Sequence, residues 1–324
     1  MDLPPPPRAI DETLIGQSPA MLSLKHQIQR LATLDVNVLI EGPSGSGKEL
    51  AAELIHTHSH RRGHPWVAIN CGAIPADLFE SELFGHRAGA FTGAAENKPG
   101  LLAAANRSTL FLDEIGELPK KMQVKLLRAL ETHTIRALGS TQDKPVDVRI
   151  IAATNQSLEA AVSQGLFRLD LFHRLKVAQI ETPPLVDMVE DLSALSQHLI
   201  AKVAQRMQLP EKPLRPGAFK ALAHHPFPGN VRELEHALTR GLIWSSSAAI
   251  DWSDLGLQAQ RTPSNPVSSP ECHRPTTLSE ALQLTEQTMI DQALKDNAYQ
   301  RHDAAVQLGI TERALRYRLA KYRR

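Results

Sequence analysis

The stretch Gly42-Pro43-Ser44-Gly45-Ser46-Gly47-Lys48-Glu49 decides the fold of the chain. Residues 36–40 before it are mostly apolar and β-branched, which is typical of a buried parallel strand, and residues 50–55 after it have a helical pattern. A glycine-rich turn between a strand and a helix directs successive backbone N–H groups at an anion, and Lys48 can reach the β- and γ-phosphates of a nucleotide. We therefore predict that the whole stretch forms a P-loop that binds a nucleotide, with an ordinary glycine-rich loop as the alternative.

The last residue of this P-loop differs from the usual pattern. Glu49 occupies the position at which many P-loops carry Ser or Thr. The hydroxyl group that normally contacts Mg²⁺ is therefore absent at this position. We expect the metal to be held mainly by other groups of the protein or by water.

The composition is that of an ordinary soluble protein: the 324 residues are 42% hydrophobic and 22% charged, with a net charge of +1. This length allows two or three domains. No run approaches the ~18 consecutive apolar residues of a membrane span, and residues 1–11 lack the apolar core of a signal peptide. Cys71 and Cys272 match no metal-binding or disulfide spacing, which fits a reducing compartment. We expect a cytoplasmic, nucleoid-associated protein with no membrane span.

Two adjacent carboxylates follow a second apolar run. Residues 109–112 predict a buried strand, and Asp113 and Glu114 come directly after it, in the pattern usually called Walker B. At the end of a strand, Asp113 can hold Mg²⁺ or its water, and Glu114 can polarise the water that attacks the γ-phosphate. We predict these two catalytic roles, with a simple strand-to-helix cap as the alternative.

Two further predicted strands end in asparagine. Asn70 follows residues 66–69, and Asn155 follows residues 148–154. Polar residues at the carboxyl ends of strands in an open α/β sheet face the ligand crevice, so both side chains can orient water or sense the γ-phosphate. The alternation of strand and helix patterns over residues 36–180 predicts an α/β fold with a parallel sheet flanked by helices.

The segment Gly89-Ala90-Phe91-Thr92-Gly93-Ala94, called the 89–94 loop below, has glycines on either side of an apolar and hydroxylated tip. Exposing Phe91 to water is unfavourable, so the pattern favours a loop that spends part of its time against a partner. The alternative is a glycine-rich turn whose Phe91 packs into the core.

The end of the chain predicts a separate all-α domain. Residues 261–275 are rich in Pro and Ser, which is typical of a linker. Residues 303–322 then read as helix, tight turn and helix, with Gly309 in the turn and Thr311 as the N-cap.

The last predicted helix has an apolar and a basic face. The basic face carries the candidate DNA-binding residues Arg313, Arg316, Tyr317 and Lys321. Residues 301–324 contain seven Arg or Lys against two acidic residues, which suits binding to phosphates. The alternative is a helical hairpin with a solvated basic face.

These motifs resemble one family. The 89–94 loop, Glu82-Leu83-Phe84-Gly85-His86 ahead of it, the P-loop ending Gly47-Lys48-Glu49, and Phe111-Leu112-Asp113-Glu114 are similar to those of the AAA+ activators of sigma-54 RNA polymerase. The resemblance covers roughly residues 12–245, and residues 276–324 resemble a Fis-type helix-turn-helix.

The resemblance implies a function and its partners. It implies an ATPase that uses ATP and Mg²⁺, forms dimers and a hexameric ring, and binds a palindromic site on double-stranded DNA upstream of a promoter. Phe91 and Thr92 would contact sigma-54 in the RNA polymerase holoenzyme, so that hydrolysis remodels the closed complex. With only a short lead before the ATPase, we expect no N-terminal regulatory domain, and a separate protein that acts on the ATPase domain is one possible control.

The resemblance also assigns roles to single residues. Asn70 matches the residue that switches the catalytic glutamate, and Asn155 matches the first sensor. Arg168 and Arg174 match arginines that reach the neighbouring subunit's nucleotide, although surface ion pairs are the alternative for these two. Arg232, in Pro228-Gly229-Asn230-Val231-Arg232, matches a second sensor that contacts the γ-phosphate in cis.

The implied architecture is a P-loop AAA+ parallel sheet flanked by helices, with a helical lid and a C-terminal all-α helix-turn-helix domain. The implied divisions are 1–11 (lead), 12–182 (ATPase), 183–248 (lid), 249–275 (linker) and 276–324 (DNA-binding domain). The chain departs from the family pattern at Phe227, at Val186-Asp187-Met188 and at Arg107-Ser108, where the family commonly has Trp, Arg-Glu-Arg and two glycines. Two rival functions are an AAA+ remodeller of another client and a DNA-binding regulator that has lost ATPase activity.

Overall fold

The structure is a computed structural model that describes residues 9–91, 93–257, 300–312 and 314–316, together with residues 290, 293, 297 and 318. The predicted contact residue Thr92 and the predicted DNA-binding residues Arg313, Tyr317 and Lys321 lie outside the described residues. The chain divides into two compact units, Met1–Ala259 and Gln260–Arg324.

The first unit is built on a parallel sheet. The strands of the whole unit are β1 (Val38–Glu41), β2 (Trp66–Asn70), β3 (Gly85–His86), β4 (Lys98–Pro99), β5 (Ser108–Asp113), β6 (Thr134–Ile135), β7 (Lys144–Pro145), β8 (Val148–Thr154) and β9 (Ala178–Glu181). Five of them form the sheet in the order β2-β5-β8-β1-β9, and every pair in it is parallel. Two short antiparallel hairpins, β3–β4 and β6–β7, lie outside this sheet.

Helices surround the sheet and continue into the lid. They are α1 (Ile10–Thr13), α2 (Pro19–Ala32), α3 (Lys48–Thr57), α4 (Ala76–Phe84), α5 (Leu101–Ala104), α6 (Lys120–Thr132), α7 (Leu158–Ser163), α8 (Leu169–Leu175), α9 (Leu192–Met207), α10 (Pro216–Ala223) and α11 (Asn230–Trp244). Short 3₁₀ turns cover Ile115–Glu117, Leu185–Asp191 and Trp252–Leu255.

The two faces of the sheet are buried in two apolar clusters. Val38 and Ile40 pack in the cluster that includes α2 and α3, whereas Leu39 packs in the cluster that includes α4, α6 and α8. Successive side chains of a strand point to opposite faces, so a central strand with helices on both sides is apolar throughout. The predicted parallel sheet flanked by helices is therefore confirmed.

The sheet register brings the predicted site residues to one edge. Asn70 pairs with Asp113 across β2 and β5, and Glu41 at the end of β1 pairs with Thr154 at the end of β8. The strand ends are consequently level with one another: the P-loop follows β1, and the Walker B pattern has Asp113 as the last residue of β5 and Glu114 directly after it.

The lid consists mainly of α9, α10 and α11, and its core is continuous with the cluster on one face of the sheet. Ile250 and Leu255 are fully buried in that same cluster. A side chain at Gly241 of α11 would come within 2.6 Å of Ile250. The packed lid thus includes residues 250–255, which fall in the predicted linker 249–275.

Two departures from the family pattern fall at unusual backbone positions. Arg107 has a φ of 65° and Phe227 a φ of 44°, both in the left-handed region that favours glycine. Phe227 is buried, and its ring meets the ring of His225 edge-on at 4.6 Å. A residue with a Cβ atom is disfavoured at such a φ, so the backbone of Arg107 is strained.

The second unit shows the core of a helix-turn-helix among its described residues. Helix α12 (Arg301–Gln307) contributes Ala304 and Ala305 to a buried cluster with Leu315. Gly309 has a φ of 68°, and the Thr311 hydroxyl accepts a hydrogen bond from the amide of Ala314 at 3.3 Å. The predicted turn and N-cap are both confirmed.

Candidate functional site

A cleft of about 500 Å³ opens where the strand ends, the P-loop and the lid meet. The predicted residues that line it are Ser44, Gly45, Gly47, Lys48, Glu49, Asn70, Asp113, Glu114, Asn155 and Arg232. The lid contributes residues of α9 and of the first turns of α11. The fold therefore brings the predicted residues, which come from five separate stretches of the sequence, to one cavity.

The P-loop backbone needs its glycines because other segments approach it closely. A Cβ atom at Gly42 would lie 2.1 Å from the Thr182 hydroxyl, and one at Gly45 would lie 2.3 Å from the Gly229 carbonyl of the lid. The Ser46 hydroxyl is 2.6 Å from that of Thr182 and donates to the Pro43 carbonyl at 2.8 Å. Gly42, Pro43 and Ser46 thus shape the loop from behind the cleft.

Lys48 places a cation at the mouth of the loop. It is the first residue of α3, and its Nζ donates hydrogen bonds to the carbonyls of Gly42 at 2.8 Å and Pro43 at 3.0 Å. Burial lowers the pKa of Lys48, while Asp113 and Glu114 act in the opposite direction. Amide N–H groups of the first helical turn have no partner within the helix, so together with Lys48 they form a site for phosphate.

The carboxylate of Asp113 is held in place by two donors. Asn70 Nδ2 donates to Oδ2 at 3.2 Å, and the Glu114 amide donates to Oδ1 at 3.0 Å. The Asn70 Oδ1 atom accepts from the amides of Gly72 and Ala73, which fixes the orientation of the Asn70 side chain. Among the hydrogen bonds of the described residues, Asn70 is joined to Asp113 and not to Glu114, the partner that the resemblance implies.

Glu114 has a strained backbone. Its φ of 51° and ψ of 46° lie in the left-handed region, at the point where β5 ends. Its Oε2 atom would lie only 2.6 Å from a Cβ atom at Gly72, so the carboxylate occupies space that any larger residue at position 72 would fill. Sequence reasoning missed Gly72, because a lone glycine after a strand gives no sign of what packs on it.

The donor set at this edge fits Mg²⁺. Asp113 and Glu114 supply carboxylate oxygens to the cleft, and hard oxygen ligands together with water are what Mg²⁺ prefers. The Ser46 hydroxyl is engaged within the loop, and position 49 carries no hydroxyl. The carboxylates and water are therefore the groups suited to this ion, and the sequence assigns the ion to Asp113.

The lid contacts the P-loop directly. Asn230, buried at the start of α11, donates to the Ser44 carbonyl at 2.9 Å and accepts from the Leu185 amide at 2.9 Å. The Arg232 guanidinium lies 3.4 Å from the Ser44 hydroxyl, and its amide donates to the Gly45 carbonyl at 3.3 Å. Sequence reasoning identified Arg232 but missed Asn230, although it opens the same helix.

The two predicted arginines from α8 and its N-cap do not line the cleft. Arg168 is exposed and makes a bidentate ion pair with Asp170, with distances of 3.0 and 2.7 Å. Arg174 donates to the Leu130 carbonyl at 3.0 Å. In the single chain, Arg168 thus makes the surface ion pair that the sequence left open as an alternative.

The 89–94 loop projects from the β3–β4 hairpin. The Gly89 amide donates to the Ala94 carbonyl at 2.8 Å, and the Ala94 amide donates to the Phe91 carbonyl at 3.0 Å. Phe91 is 40% exposed, and its ring meets that of His86 edge-on at 5.0 Å. The alternative in which Phe91 packs into the core is therefore wrong.

The β6–β7 hairpin supports this loop. The Leu138 amide donates to the Gly85 carbonyl and the Arg87 amide donates to the Leu138 carbonyl, both at 2.9 Å. A Cβ atom at Gly139 would lie 2.9 Å from that of Ala90. Sequence reasoning missed the contact, because the two hairpins are separated by several elements of the chain.

In the second unit, Arg316 is the one predicted DNA-binding residue among the described residues. It is exposed and pairs with Glu312 at 2.5 Å. This ion pair joins one turn of the helix and leaves the guanidinium at the surface.

Comparison with known proteins agrees with this geometry. Residues 14–181 match the Sigma-54 interaction domain, residues 187–271 the AAA+ ATPase lid domain, and residues 281–322 the Bacterial regulatory protein, Fis family. The chain belongs to the sigma-54-dependent activators. Like other members of this family it carries an AAA+ ATPase domain, for which ATP and Mg²⁺ are the expected nucleotide and metal, and a DNA-binding helix-turn-helix.

Relatives of this family match over almost the whole chain. The response regulator protein PilR of Pseudomonas aeruginosa is 44% identical over 312 residues, which are 96% of this chain and 70% of PilR. The regulatory protein AtoC of Escherichia coli is 40% identical over 312 residues, 95% of this chain and 67% of AtoC. The nitric oxide reductase transcription regulator NorR1 of Cupriavidus necator is 41% identical, and the chain spans 64% of its length.

Solved structures agree with the fold. The crystal structure of NtrX from Brucella abortus in complex with ADP has a TM-score of 0.74 and 31% identity, covering 96% of this chain and 69% of NtrX. Within the part of the chain that the structure describes, no helix has the length and apolar character needed to cross a membrane.

Proposed function

We propose that this sigma-54-dependent activator assembles into a hexameric ring on upstream DNA and couples ATP hydrolysis to remodelling of the closed complex through the 89–94 loop. The proposal is based on the position of this loop. It lies in the chain segment that connects Asn70 at the end of β2 to Asp113 at the end of β5, and these two side chains are hydrogen-bonded at the cleft. A change at the nucleotide can therefore reach Phe91 through α4 and the β3–β4 hairpin.

The cleft residues divide the chemistry of hydrolysis among them. Lys48 and the P-loop amides bind the β- and γ-phosphates, and Asp113 would hold Mg²⁺, which neutralises the phosphate charge when bound. Glu114 accepts a proton from the water that attacks the γ-phosphorus, while the bond to the bridging oxygen breaks and ADP leaves. Asn155 and Arg232 lie in the same cleft and contact the γ-phosphate in this scheme.

The arginines outside the cleft support a ring. Arg168 is the exposed N-cap of α8, Arg174 lies in α8, and neither lines the cleft of its own chain. An arginine supplied by a neighbour stabilises the charge of the transferred phosphoryl group, so hydrolysis would require subunits to meet with this face against the adjacent cleft. Asp170 holds the Arg168 guanidinium until the neighbour's nucleotide competes for it.

DNA binding is assigned to the second unit. Arg316 presents its guanidinium at the surface, and Arg313, Tyr317 and Lys321 are proposed to complete the recognition face. Helix-turn-helix domains bind as two-fold pairs, so a palindromic site upstream of the promoter is expected. A separate regulatory protein that acts on the ATPase domain is proposed as the means of control.

The experiment that tests the proposal traps the ATPase with a transition-state mimic. Purified protein, Mg²⁺, ADP, a metal fluoride and sigma-54 are mixed and run on a native gel. A complex is expected only with the trapped nucleotide, and Thr92→Ala should abolish it. The matched control is Thr33→Ala, because Thr33 is exposed at the end of α2 and far along the chain from the loop.

The outcomes separate the rival functions. If ATP is hydrolysed but no complex forms, the client is a different protein. If the purified protein hydrolyses no ATP, the chain acts as a DNA-binding regulator without ATPase activity. A complex that persists in Thr92→Ala would contradict the role of the 89–94 loop.

A further inference from the structure

Asp191 is a buried carboxylate at the entry to the lid. It ends the Leu185–Asp191 turn and immediately precedes α9. Its Oδ1 atom accepts hydrogen bonds from the amides of Gln17 at 2.6 Å and Ser18 at 3.0 Å, and its Oδ2 atom lies 3.2 Å from the Ser18 amide. Hydrogen bonds from amides to a carboxylate are among the stronger ones in proteins, and burial protects these from water.

The cleft has a polar end and an apolar end. Lys48, Asp113 and Glu114 form the polar end, where the phosphates bind. The residues at the other end are mostly apolar or uncharged, namely Thr13, Ile15, Leu50, Leu195, His198, Leu199 and Val231, and the charged residues Glu53, Lys202 and Glu235 also line the cleft. Ligand sites place apolar walls around the apolar part of the ligand, so this end suits the base of the nucleotide.

The apolar end has two walls from distant parts of the sequence. Thr13 and Ile15 come from the segment before α2, and Leu195, His198 and Leu199 come from the first turns of α9. Asp191 does not line the cleft, but it directly precedes α9, which supplies the second wall, and lies one turn before Leu195. Its carboxylate accepts hydrogen bonds from the backbone that follows the first wall, beginning at Gln17, two residues after Ile15.

The first wall is also held from its other side. Lys25 of α2 is buried, and its Nζ donates to the Gly16 carbonyl and to Asp11 Oδ1, both at 2.8 Å. Gly16 has a φ of 142°, and a Cβ atom there would lie 2.5 Å from Asp191 Oδ2. The segment therefore has little freedom to move relative to Asp191.

We propose that Asp191 is a positioning residue for the nucleotide base: by joining the two walls, it sets their separation and hence the affinity and selectivity for adenine. It touches neither the phosphates nor the reacting water. Because α9 packs on α11, which carries Asn230 and Arg232, the same carboxylate links occupation of the base site to the position of the lid. The proposal rests on nucleotide binding in the cleft and not on the identity of the client.

The test compares Asp191→Asn with the matched variant Asp187→Asn. Asp187 is exposed in the same turn and is not among the residues that line this cleft. For Asp191→Asn we expect KM for ATP to rise about tenfold, with kcat within about twofold of the native value, because lost hydrogen bonds to a charged group weaken binding by factors of this order. The preference for ATP over GTP should fall with it, and Asp187→Asn should match the native protein.

Equilibrium binding of ribose-labelled ADP, followed by fluorescence anisotropy, gives a second readout that needs neither hydrolysis nor sigma-54. Gly16→Ala should weaken this binding in the same way. Because Gly16 and Asp191 are in contact, the double variant Gly16→Ala/Asp191→Asn should lose less binding free energy than the sum of the two single losses. If native protein binds labelled ADP but does not act on sigma-54, the proposed function fails while this proposal survives.

Unchanged KM, ADP affinity and base preference in a folded Asp191→Asn protein would overturn the proposal, whatever the melting temperature does. A large loss of kcat with unchanged KM would also overturn it, because that result belongs to a catalytic group. If Asp191→Asn does not fold, Lys25→Gln tests the same wall from α2. Its KM should rise about threefold, since a smaller part of the anchoring is lost, and an unchanged KM would again contradict the proposal.

Discussion

The Asn70 amide donates a hydrogen bond to Asp113, with Nδ2 and Oδ2 3.2 Å apart, and so ties the end of β2 to the end of β5 at the nucleotide cleft. The Asn70 oxygen is occupied by two backbone amides, so the side chain has one orientation. Asn70 is thus connected to the backbone of Glu114 through Asp113, whose other oxygen accepts from the Glu114 amide.

Asn70→Ala should lower kcat for ATP by a factor of about 10 to about 100, because a hydrogen bond to a charged group is lost at the metal-binding carboxylate. Nucleotide affinity should change by less than about threefold, since the P-loop is untouched. Steady-state ATPase rates and labelled-ADP binding measure the two effects. Asn106→Ala, an exposed asparagine away from the cleft, is the control. A native kcat in Asn70→Ala would remove Asn70 from the mechanism.

Lys48 and Glu114 should separate binding from hydrolysis. Lys48→Ala removes the cation at the P-loop and should weaken ATP binding by about tenfold or more. Glu114→Gln keeps the shape of the side chain and should preserve binding while kcat falls by about 10² to about 10⁴, the range for loss of a general base. Binding and hydrolysis assays on both variants check this division. Loss of binding in Glu114→Gln would argue that its carboxylate holds the nucleotide.

Arg168→Ala and Arg174→Ala should each reduce hydrolysis strongly, by up to about 10³-fold, while leaving nucleotide binding near native, because the guanidinium acts on the neighbour's phosphates. Arg62→Ala, an exposed arginine on another surface, is the control. Mixing Arg168→Ala with Lys48→Ala protein should restore part of the activity, since some interfaces then combine an intact cleft with an intact arginine. A mixture no more active than its two components would leave Arg168 as a surface ion-pair partner of Asp170.

Arg107→Gly should stabilise the protein. The φ of 65° costs a residue with a side chain about 1–2 kcal/mol, and the greater freedom of glycine in the unfolded chain offsets about 0.5–1 kcal/mol of the gain. The expected net increase in the free energy of unfolding is therefore about 0.5–1 kcal/mol, measured by urea denaturation. The control Arg128→Gly lies in helix α6 and should destabilise by about 1 kcal/mol. A loss of stability in Arg107→Gly would mean that its side chain contributes more than the strain costs.

His56 should make stability depend on pH. It is buried, its Nδ1 atom lies 3.0 Å from the Thr109 hydroxyl, and burial lowers its pKa below the usual 6.5. The unfolded chain then binds a proton at this histidine more readily than the folded one. The contribution of neutral His56 to the free energy of unfolding is therefore fully present above about pH 6.5 and is lost as the pH falls below it.

The measurement compares urea denaturation of the native protein and of His56→Gln at pH 7.5 and 5.5. Tryptophan fluorescence follows unfolding, and Trp66, whose ring centroid lies 5.3 Å from that of His56, contributes to it together with Trp244 and Trp252. The native protein should lose more stability between the two pH values than the variant, by up to about 1.4 kcal/mol per pH unit for one proton. Equal losses in the two proteins would show that other groups cause the pH dependence.

Sequence reasoning was strongest where chemistry is local. The P-loop could be predicted because a strand, a glycine-rich turn, a lysine and a helix are contiguous, and Asp113 because it ends an apolar run. It was weakest at the lid. Asn230 and Asp191 are ordinary polar residues in helical surroundings, and only their partners reveal what they do.

The sequence by itself determined the fold class and the family, and it predicted candidate catalytic groups within single motifs, since these follow from residue type and short-range period. The tertiary structure decided which distant residues meet: Asn70 with Asp113, 43 residues apart, Asp191 with Gln17, 174 apart, and Asn230 with Ser44, 186 apart. The physical reason is that such contacts depend on strand order and on how the lid packs against the sheet. Periodicity within a segment carries no information about either.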